Sequence, residues 1–176
     1  MFIIYFNKIH KMEQEFINFL DKINNNNFKV EDLTVDDGEY LDTYIFEDYS
    51  KYSDSKELEE RMYKMLDKYF VYFCENGDEF ACFTWLPDKF HIYILKKYGK
   101  VINDVIDLYI RLADGPENLA LVVELLVNNN IIINENSLKN NIDEIIDNME
   151  ENYFDISNEK IKKYLLNYDF IQLRNN

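Results

Sequence analysis

Apolar residues recur along the chain with two different spacings, and these spacings predict which segments are helices and which are strands. A spacing of three and four residues places side chains on one face of a helix. It predicts helices over residues 13–24, 55–69, 101–112, 116–127, 138–152 and 158–168. Almost every side chain in 116–127 is apolar, so this segment is predicted to be the central core helix.

Short runs rich in aromatic and β-branched residues predict strands. These runs are residues 40–46, 70–74, 80–85 and 90–95. Asn76 and Gly77 separate the second run from the third, and this dipeptide favours the positive φ angles of a tight hairpin turn. Residues 131–133 are apolar but few, so they fit either a strand or a packed loop.

Together these elements predict an α+β fold: a small antiparallel sheet of about three to four strands, flanked by five or six helices, with a helical C-terminal half. A chain of 176 residues with 47% apolar residues suits a single domain over 1–176. Residues 1–11 are either a short strand or an extension from an upstream start codon. The apolar run 2–6 is too short for a secretion signal or a membrane span, so we expect a cytoplasmic protein that does not contact a membrane.

The residue types that carry most enzyme chemistry are scarce. The four glycines are isolated, whereas a loop that cradles phosphate needs several together, so no nucleotide cofactor is expected. His10 and His91 stand apart, and Cys74 and Cys82 are predicted on opposite faces of the hairpin, so we expect neither a zinc site nor a disulfide. The turn at residues 36–39 lacks the ligand alternation of a calcium loop.

Charge is the most unusual property of the sequence. The chain carries 34 acidic and 19 basic side chains, for a formal net charge of -15. Residues 31–60 contain 12 acids and 2 bases, and residues 101–160 contain 13 acids and 3 bases. Such a chain is repelled by nucleic-acid phosphates and attracted to basic proteins, so direct nucleic-acid binding is not expected. The acidic surface either meets a cationic partner or only aids solubility.

The predicted helix 138–152 gathers acids on one side. Asp143, Asp147, Glu150 and Glu151 follow one another at i, i+4, i+7 and i+8, with Glu144 beside them, opposite an isoleucine face. No lysine is interleaved to relieve like-charge repulsion, which costs about 0.2–0.5 kcal/mol for each pair. We name these five carboxylates the acidic ridge and expect them to bind a partner.

A second candidate surface lies where acids alternate with tyrosines. Aromatic side chains anchor protein interfaces, and acids select a positive partner. From this segment we expect partner contacts from Asp36, Asp37, Glu39, Asp42, Tyr44, Glu47, Asp48 and Tyr49.

These features favour a non-catalytic inhibitor that occupies the basic groove of a nuclease or another nucleic-acid-processing enzyme. In charge and size the chain resembles anti-CRISPR proteins and toxin immunity proteins, which are often acidic α+β domains. Two alternatives stay open: a small enzyme with a site assembled from residues such as Cys82 and His91, and a scaffold that self-associates through the strand edge 90–95. The sequence alone indicates no particular oligomeric state.

Overall fold

In a computed structural model of the protein, every regular element among the described residues is a helix. The described residues are 2–47, 55–75, 86–103, 105–107 and 117–168, and none of them lies in a strand. The chain divides into two compact units, Met1–Leu86 and Pro87–Asn176. The predicted α+β class is therefore wrong for the described part of the chain, while the single domain over 1–176 stays a prediction.

The first unit is built on helices α1 (Phe2–Asn24), α2 (Val35–Glu47) and α3 (Lys56–Glu75), with a short 3-10 helix at Val30–Asp32. Within each helix the buried apolar side chains recur every three or four residues, as an amphipathic helix requires. Fully buried are Phe16, Leu20, Ile23, Leu41, Leu58, Met62, Met65, Leu66 and Tyr69. These side chains form the core of the unit.

Side chains of α3 hold the end of α1. The Tyr69 hydroxyl donates a hydrogen bond to the Ile23 carbonyl at 2.5 Å. The Lys68 ammonium donates to the carbonyls of Ile23, Asn25 and Phe28 at 2.7, 2.8 and 2.5 Å. The last carbonyls of a helix have no partner within the helix, so the bonds to Ile23 satisfy a group that would otherwise need water. The bonds to Asn25 and Phe28 hold the loop that follows α1. Burial raises the pKa of the Tyr69 hydroxyl to about 12.

The second unit is built on α4 (Asp88–Tyr98), α5 (Glu117–Asn128), α6 (Glu135–Glu150) and α7 (Asn158–Leu165), and a 3-10 helix at Leu166–Tyr168 extends α7. Burial of α5 confirms that it is a core helix within this unit, whereas its place as the central helix of a single domain stays a prediction. Its buried apolar side chains are Leu119, Val122, Val123, Leu125, Leu126 and Val127.

Residues 131–133 form a packed loop, which is one of the two structures predicted for them. Ile131 and Ile133 are buried. The Tyr164 hydroxyl donates to the Ile131 carbonyl at 2.5 Å, and the Tyr168 hydroxyl accepts from the Ile133 N–H at 2.8 Å. Because α7 holds this loop and α6 follows it directly, these bonds fix where α6 begins.

Three of the four predicted strands lie inside helices, which corrects the predicted sheet. Residues 40–46 belong to α2, 70–74 to α3 and 90–95 to α4. The strand preference of aromatic and β-branched residues is weaker than the gain from burying a continuous helical face. In α3, that face runs unbroken from Leu58 to Phe70.

In α4 the spacing of the buried side chains shows most clearly why a helix forms in place of the predicted strand. Its buried side chains are Phe90, His91, Ile94 and Leu95. Their spacing of one, three and one residues belongs to a helix and not to an alternating strand. An acid in the first turn, Asp88, and two bases in the last, Lys96 and Lys97, also match the helix macrodipole. A self-associating strand edge at 90–95 is therefore wrong.

The remaining element predictions have mixed outcomes. Helices at 55–69, 138–152 and 158–168 are confirmed with shifted ends, as is 13–24, which is the second half of α1. A strand within 1–11 is wrong, because α1 begins at Phe2. The helix predicted from Val101 is wrong at its start: Val101 is 77% exposed and lies in a turn, although Val105 and Ile106 are buried. The Asn76–Gly77 hairpin and residues 80–85 lie outside the described residues.

Candidate functional site

The acidic ridge lies on α6, on the side away from the buried face of the helix. Leu138, Ile145 and Met149 are buried, whereas all five ridge residues are exposed. At about 1.5 Å per residue, the ridge from Asp143 to Glu151 is about 12 Å long. The structure thus brings the five predicted ridge acids together on one solvent-facing side, and their role in binding stays a prediction.

Polar side chains fix both ends of this helix. At the start, the Asn134 side chain accepts a hydrogen bond from the Asn136 N–H at 2.9 Å, which is a helix cap. At the end, the Asn158 side-chain amide donates to the Met149 carbonyl at 3.0 Å. The chain then turns at Asn152, whose φ of 59° lies in the left-handed region that asparagine tolerates. The ridge is therefore presented by an anchored helix.

The C-terminal part of the ridge is electrostatically opposed by its own helix. A helix carries partial negative charge at its C terminus, so a carboxylate there is destabilising by about 0.3–1 kcal/mol at low ionic strength. Asp147 and Glu150 lie in the last turn of α6, Glu151 is the C-cap, and that turn has no basic residue. The protein thus keeps three carboxylates where cations would stabilise it.

Three of the five ridge carboxylates also lack an ion pair with a described neighbour. Glu144, Asp147 and Glu150 form no ion pair with a lysine or arginine in the described part of the chain. From residue 140 to residue 159 the sequence has seven acids and no lysine or arginine. In the first unit, by contrast, Arg61 pairs with Asp21 at 2.7 Å.

This electrostatic account predicts that lysines at the end of α6 stabilise the protein. We expect Asp147→Lys combined with Glu150→Lys to raise the Tm by roughly 2–6 °C at low salt, because both changes convert an opposed charge into a favoured one. Thermal unfolding followed by circular dichroism measures this. Glu135→Lys, in the first turn of the same helix, is the matched control and should lower the Tm. A lower Tm in the double variant at low salt would contradict the account.

Of the eight residues predicted as a second surface, the structure exposes two and buries two. Asp36 and Glu39 are exposed, while Asp37 is 8% and Tyr44 is 5% exposed. Outside the described part of the molecule lie Asp48, Tyr49 and the side chains of Asp42 and Glu47.

Asp37 completes a capping box at the start of α2. The Thr34 hydroxyl accepts from the Asp37 N–H at 3.2 Å, and the Asp37 carboxylate accepts from the Thr34 N–H at 3.0 Å. The Lys22 ammonium of α1 pairs with the same carboxylate at 3.0 Å. Asp36 and Asp37 also lie in the first turn, where the macrodipole favours acids. These acids therefore have a structural explanation, unlike the C-terminal part of the ridge.

The environment of Asp37 predicts a local sensitivity to acid. Burial alone raises the pKa of its carboxyl, but hydrogen bonds from Lys22 and Thr34 outweigh burial and lower the pKa below the ordinary 3.8. Such a carboxyl stabilises the fold above its unfolded-state pKa, and the contribution is lost as the pH falls through the lower folded-state pKa.

We therefore expect Asp37→Asn to be less stable than the wild-type protein at neutral pH, with the difference shrinking as the pH falls below about 4. Urea unfolding at a series of pH values measures the difference in the free energy of unfolding. If the two proteins differed by the same amount at neutral pH and at about pH 2.5, the ion pair would not be its cause.

Tyr44 belongs to an aromatic cluster between α1 and α2. Its ring stacks on Phe16 with centroids 3.7 Å apart and planes 14° apart. Phe19 and Tyr40 form a second pair with centroids 4.8 Å apart. Because Tyr44 is 5% exposed, its ring holds the two helices together and offers little surface to a partner.

An aromatic residue that the sequence pattern does not single out lies at the end of the ridge. Tyr153 is 64% exposed. A hydrogen bond to the Glu151 carboxylate, together with the charge of that group, raises the pKa of the Tyr153 hydroxyl. An exposed tyrosine beside carboxylates suits an interface anchor. In the sequence, Asn152 is the feature that could have indicated this position, because an asparagine just after a helix often forms the left-handed turn that ends the helix.

The structure bears only partly on the alternative of an enzyme. His91 is 2% exposed within α4 and does not lie on a strand, while Cys74 belongs to α3. Cys82 lies outside the described residues. Among the described residues, no group of three or more His, Cys, Asp or Glu side chains is placed to hold a metal ion.

No protein-family model, curated protein or solved structure matches this chain. Among the described helices, none combines the length and the apolar character that crossing a bilayer requires. The case for a function therefore depends on the geometry and charge of the ridge.

Proposed function

We propose that this protein is a non-catalytic binding protein whose acidic ridge occupies the cationic groove of a basic partner. Nucleases and other nucleic-acid-processing enzymes are the best-suited class, because they bind phosphates through surfaces rich in lysine and arginine. Occupation of that groove excludes the nucleic acid and inhibits the enzyme. We further propose that the protein does this in the cytoplasm.

The observation that carries this proposal is the position of Asp147, Glu150 and Glu151 at the C-terminal end of α6. A helix selected only for stability gains from lysine at these positions, because the C-terminal end of a helix favours cations. Residues that oppose the stability of their own element are characteristic of functional surfaces. The acids of α2, which stabilise their helix, do not support the same inference.

The linear charge density of the ridge supports a partner that normally binds nucleic acid. The ridge carries five carboxylates over about 12 Å. One strand of a DNA duplex presents a phosphate about every 3.4 Å along its axis, or about four over the same distance. A groove that binds phosphates can therefore exchange them for ridge carboxylates, with Tyr153 supplying an aromatic contact beside them.

Competition with nucleic acid tests this function. The purified protein is titrated into a panel of basic nucleases, each cleaving its own fluorescent substrate, with acidic nucleases as controls. We expect stoichiometric inhibition of a basic enzyme, weakening as the salt concentration rises from about 0.05 to 0.5 M. Inhibition of acidic and basic enzymes alike, or complexes that still bind nucleic acid, would contradict occupation of a cationic groove.

A further inference from the structure

A cavity of about 370 Å³ opens in the second unit between the end of α5 and α7. This volume is in the range of pockets that hold small molecules, roughly 300–1,000 Å³. Its polar lining comes from Asn128 and Asn130 at the end of α5 and from Lys160, Lys163, Tyr164 and Asn167.

The charge of this lining is opposite to that of the protein. In a chain with a net charge of -15, the described residues that line the cavity include two lysines and no carboxylate. Lys160 and Lys163 form no ion pair with a described residue, whereas Lys162 pairs with Glu159 at 3.7 Å. Both ammonium groups are thus available to an anionic ligand.

The asparagines add uncommitted polar groups. The side-chain amides of Asn128, Asn130 and Asn167 form no hydrogen bond with a described residue. A carboxamide both donates and accepts, so it suits ligand hydroxyls as well as phosphate oxygens. The lining therefore combines cationic groups for one part of a ligand with amides for a hydroxylated part.

The wall of the cavity is held in place by the fold. Asn130 has a φ of 49°, and the N–H groups of Asn130 and Ile131 donate to the Val127 and Leu126 carbonyls at 3.4 and 2.9 Å. These bonds form a Schellman motif, which uses carbonyls that would otherwise repel an anion. On α7, the Tyr164 hydroxyl is engaged with the Ile131 carbonyl at 2.5 Å. The Asn130 backbone and the Tyr164 side chain, which form part of the lining, are therefore fixed before a ligand binds.

We infer that this cavity binds a small phosphorylated polyol, such as a sugar phosphate, with the phosphate at Lys160 and Lys163. Lysines one helical turn apart lie on the same face of a helix and can contact one phosphate together. The amides of Asn128, Asn130 and Asn167 then bind hydroxyl groups of the carbon skeleton. This inference is independent of the proposed function, because it uses none of the ridge residues.

Ribose 5-phosphate is a suitable first probe, with the side-chain amide NMR signals of the three asparagines as the readout. We expect saturable shifts with a Kd of about 1 mM or tighter. Lys160→Gln combined with Lys163→Gln should weaken binding at least about tenfold, because it removes both charge-assisted contacts. Lys139→Gln combined with Lys162→Gln, which changes the net charge equally outside the cavity, should leave the affinity unchanged.

Two further probes separate the parts of the ligand. Inorganic phosphate should bind more weakly than ribose 5-phosphate at the same signals, and ribose alone should give no saturable shift. Equal binding of ribose and its phosphate, equal loss in both double variants, or no saturable response to either phosphate-bearing probe would overturn the inference.

Discussion

Replacement of Glu144, Asp147 and Glu150 by lysine is expected to lower the affinity for a basic partner by at least about a hundredfold. Each reversal removes an attraction and adds a repulsion, and close charge pairs across interfaces are worth about 1.5 kcal/mol or more. These three carboxylates form no ion pair with described residues, so their loss breaks no contact of that kind within the protein. The affinity of wild type and variant for an enzyme from the inhibition panel is measured by surface plasmon resonance.

The chain offers a matched control for net charge. Asp88, Glu135 and Glu159 are exposed acids in the first turns of α4, α6 and α7. Reversing these three changes the net charge equally, but it removes favourable dipole interactions and should lower the Tm. We expect this control to retain partner binding while losing stability, and the ridge variant to do the reverse. Equal loss of binding in both variants would show that only the total charge of the protein matters.

Gly99→Ala is expected to destabilise the second unit by about 3 kcal/mol. Gly99 follows α4 with a φ of -57°, so the demand for glycine is one of space and not of backbone conformation. A Cβ atom at this position would lie 2.6 Å from Cγ2 of Ile133 and would overlap the Leu95 carbonyl oxygen. Ile133 is buried and the carbonyl belongs to the backbone, so neither can move cheaply.

The same substitution should disturb the helix that carries the ridge. The Gly99 carbonyl accepts a hydrogen bond from the N–H of Asn134, the N-cap of α6, at 2.7 Å. Urea unfolding measures the loss of stability, and Lys100→Ala at the exposed neighbouring position is the control, which should change stability little. A Gly99→Ala protein as stable as this control would show that the end of α4 does not pack as described.

The helices that the sequence predicts correctly share a local cause. In α5, α6 and α7 the apolar positions and the polar ends indicate the same structure, so local preference and tertiary packing agree. In α2, in residues 70–74 of α3 and in α4, aromatic runs suggest strands, although all three lie in helices. Burial of a continuous face decides between strand and helix, and that outcome depends on partner helices far away in the sequence.

In the candidate site, too, features set by local sequence are predictable and features set by distant contacts are not. The ridge depends only on helical periodicity, so the sequence alone places its five acids on one side. The positions of Asp37 and Tyr44 depend on contacts with Lys22 and Phe16, which lie more than a dozen residues away. The cavity joins residues 127–130 to residues 160–167, and no local pattern indicates that these two segments meet.

The most direct measurement is an NMR footprint of the protein bound to a basic enzyme that it inhibits. Backbone amide signals are compared between the free protein and the complex, and the largest changes are mapped onto the sequence. We predict that these changes concentrate at residues 143–153, the ridge and its adjoining tyrosine, and that added nucleic acid reverses them. A footprint that leaves residues 143–153 unchanged, while other surfaces respond, would contradict the account.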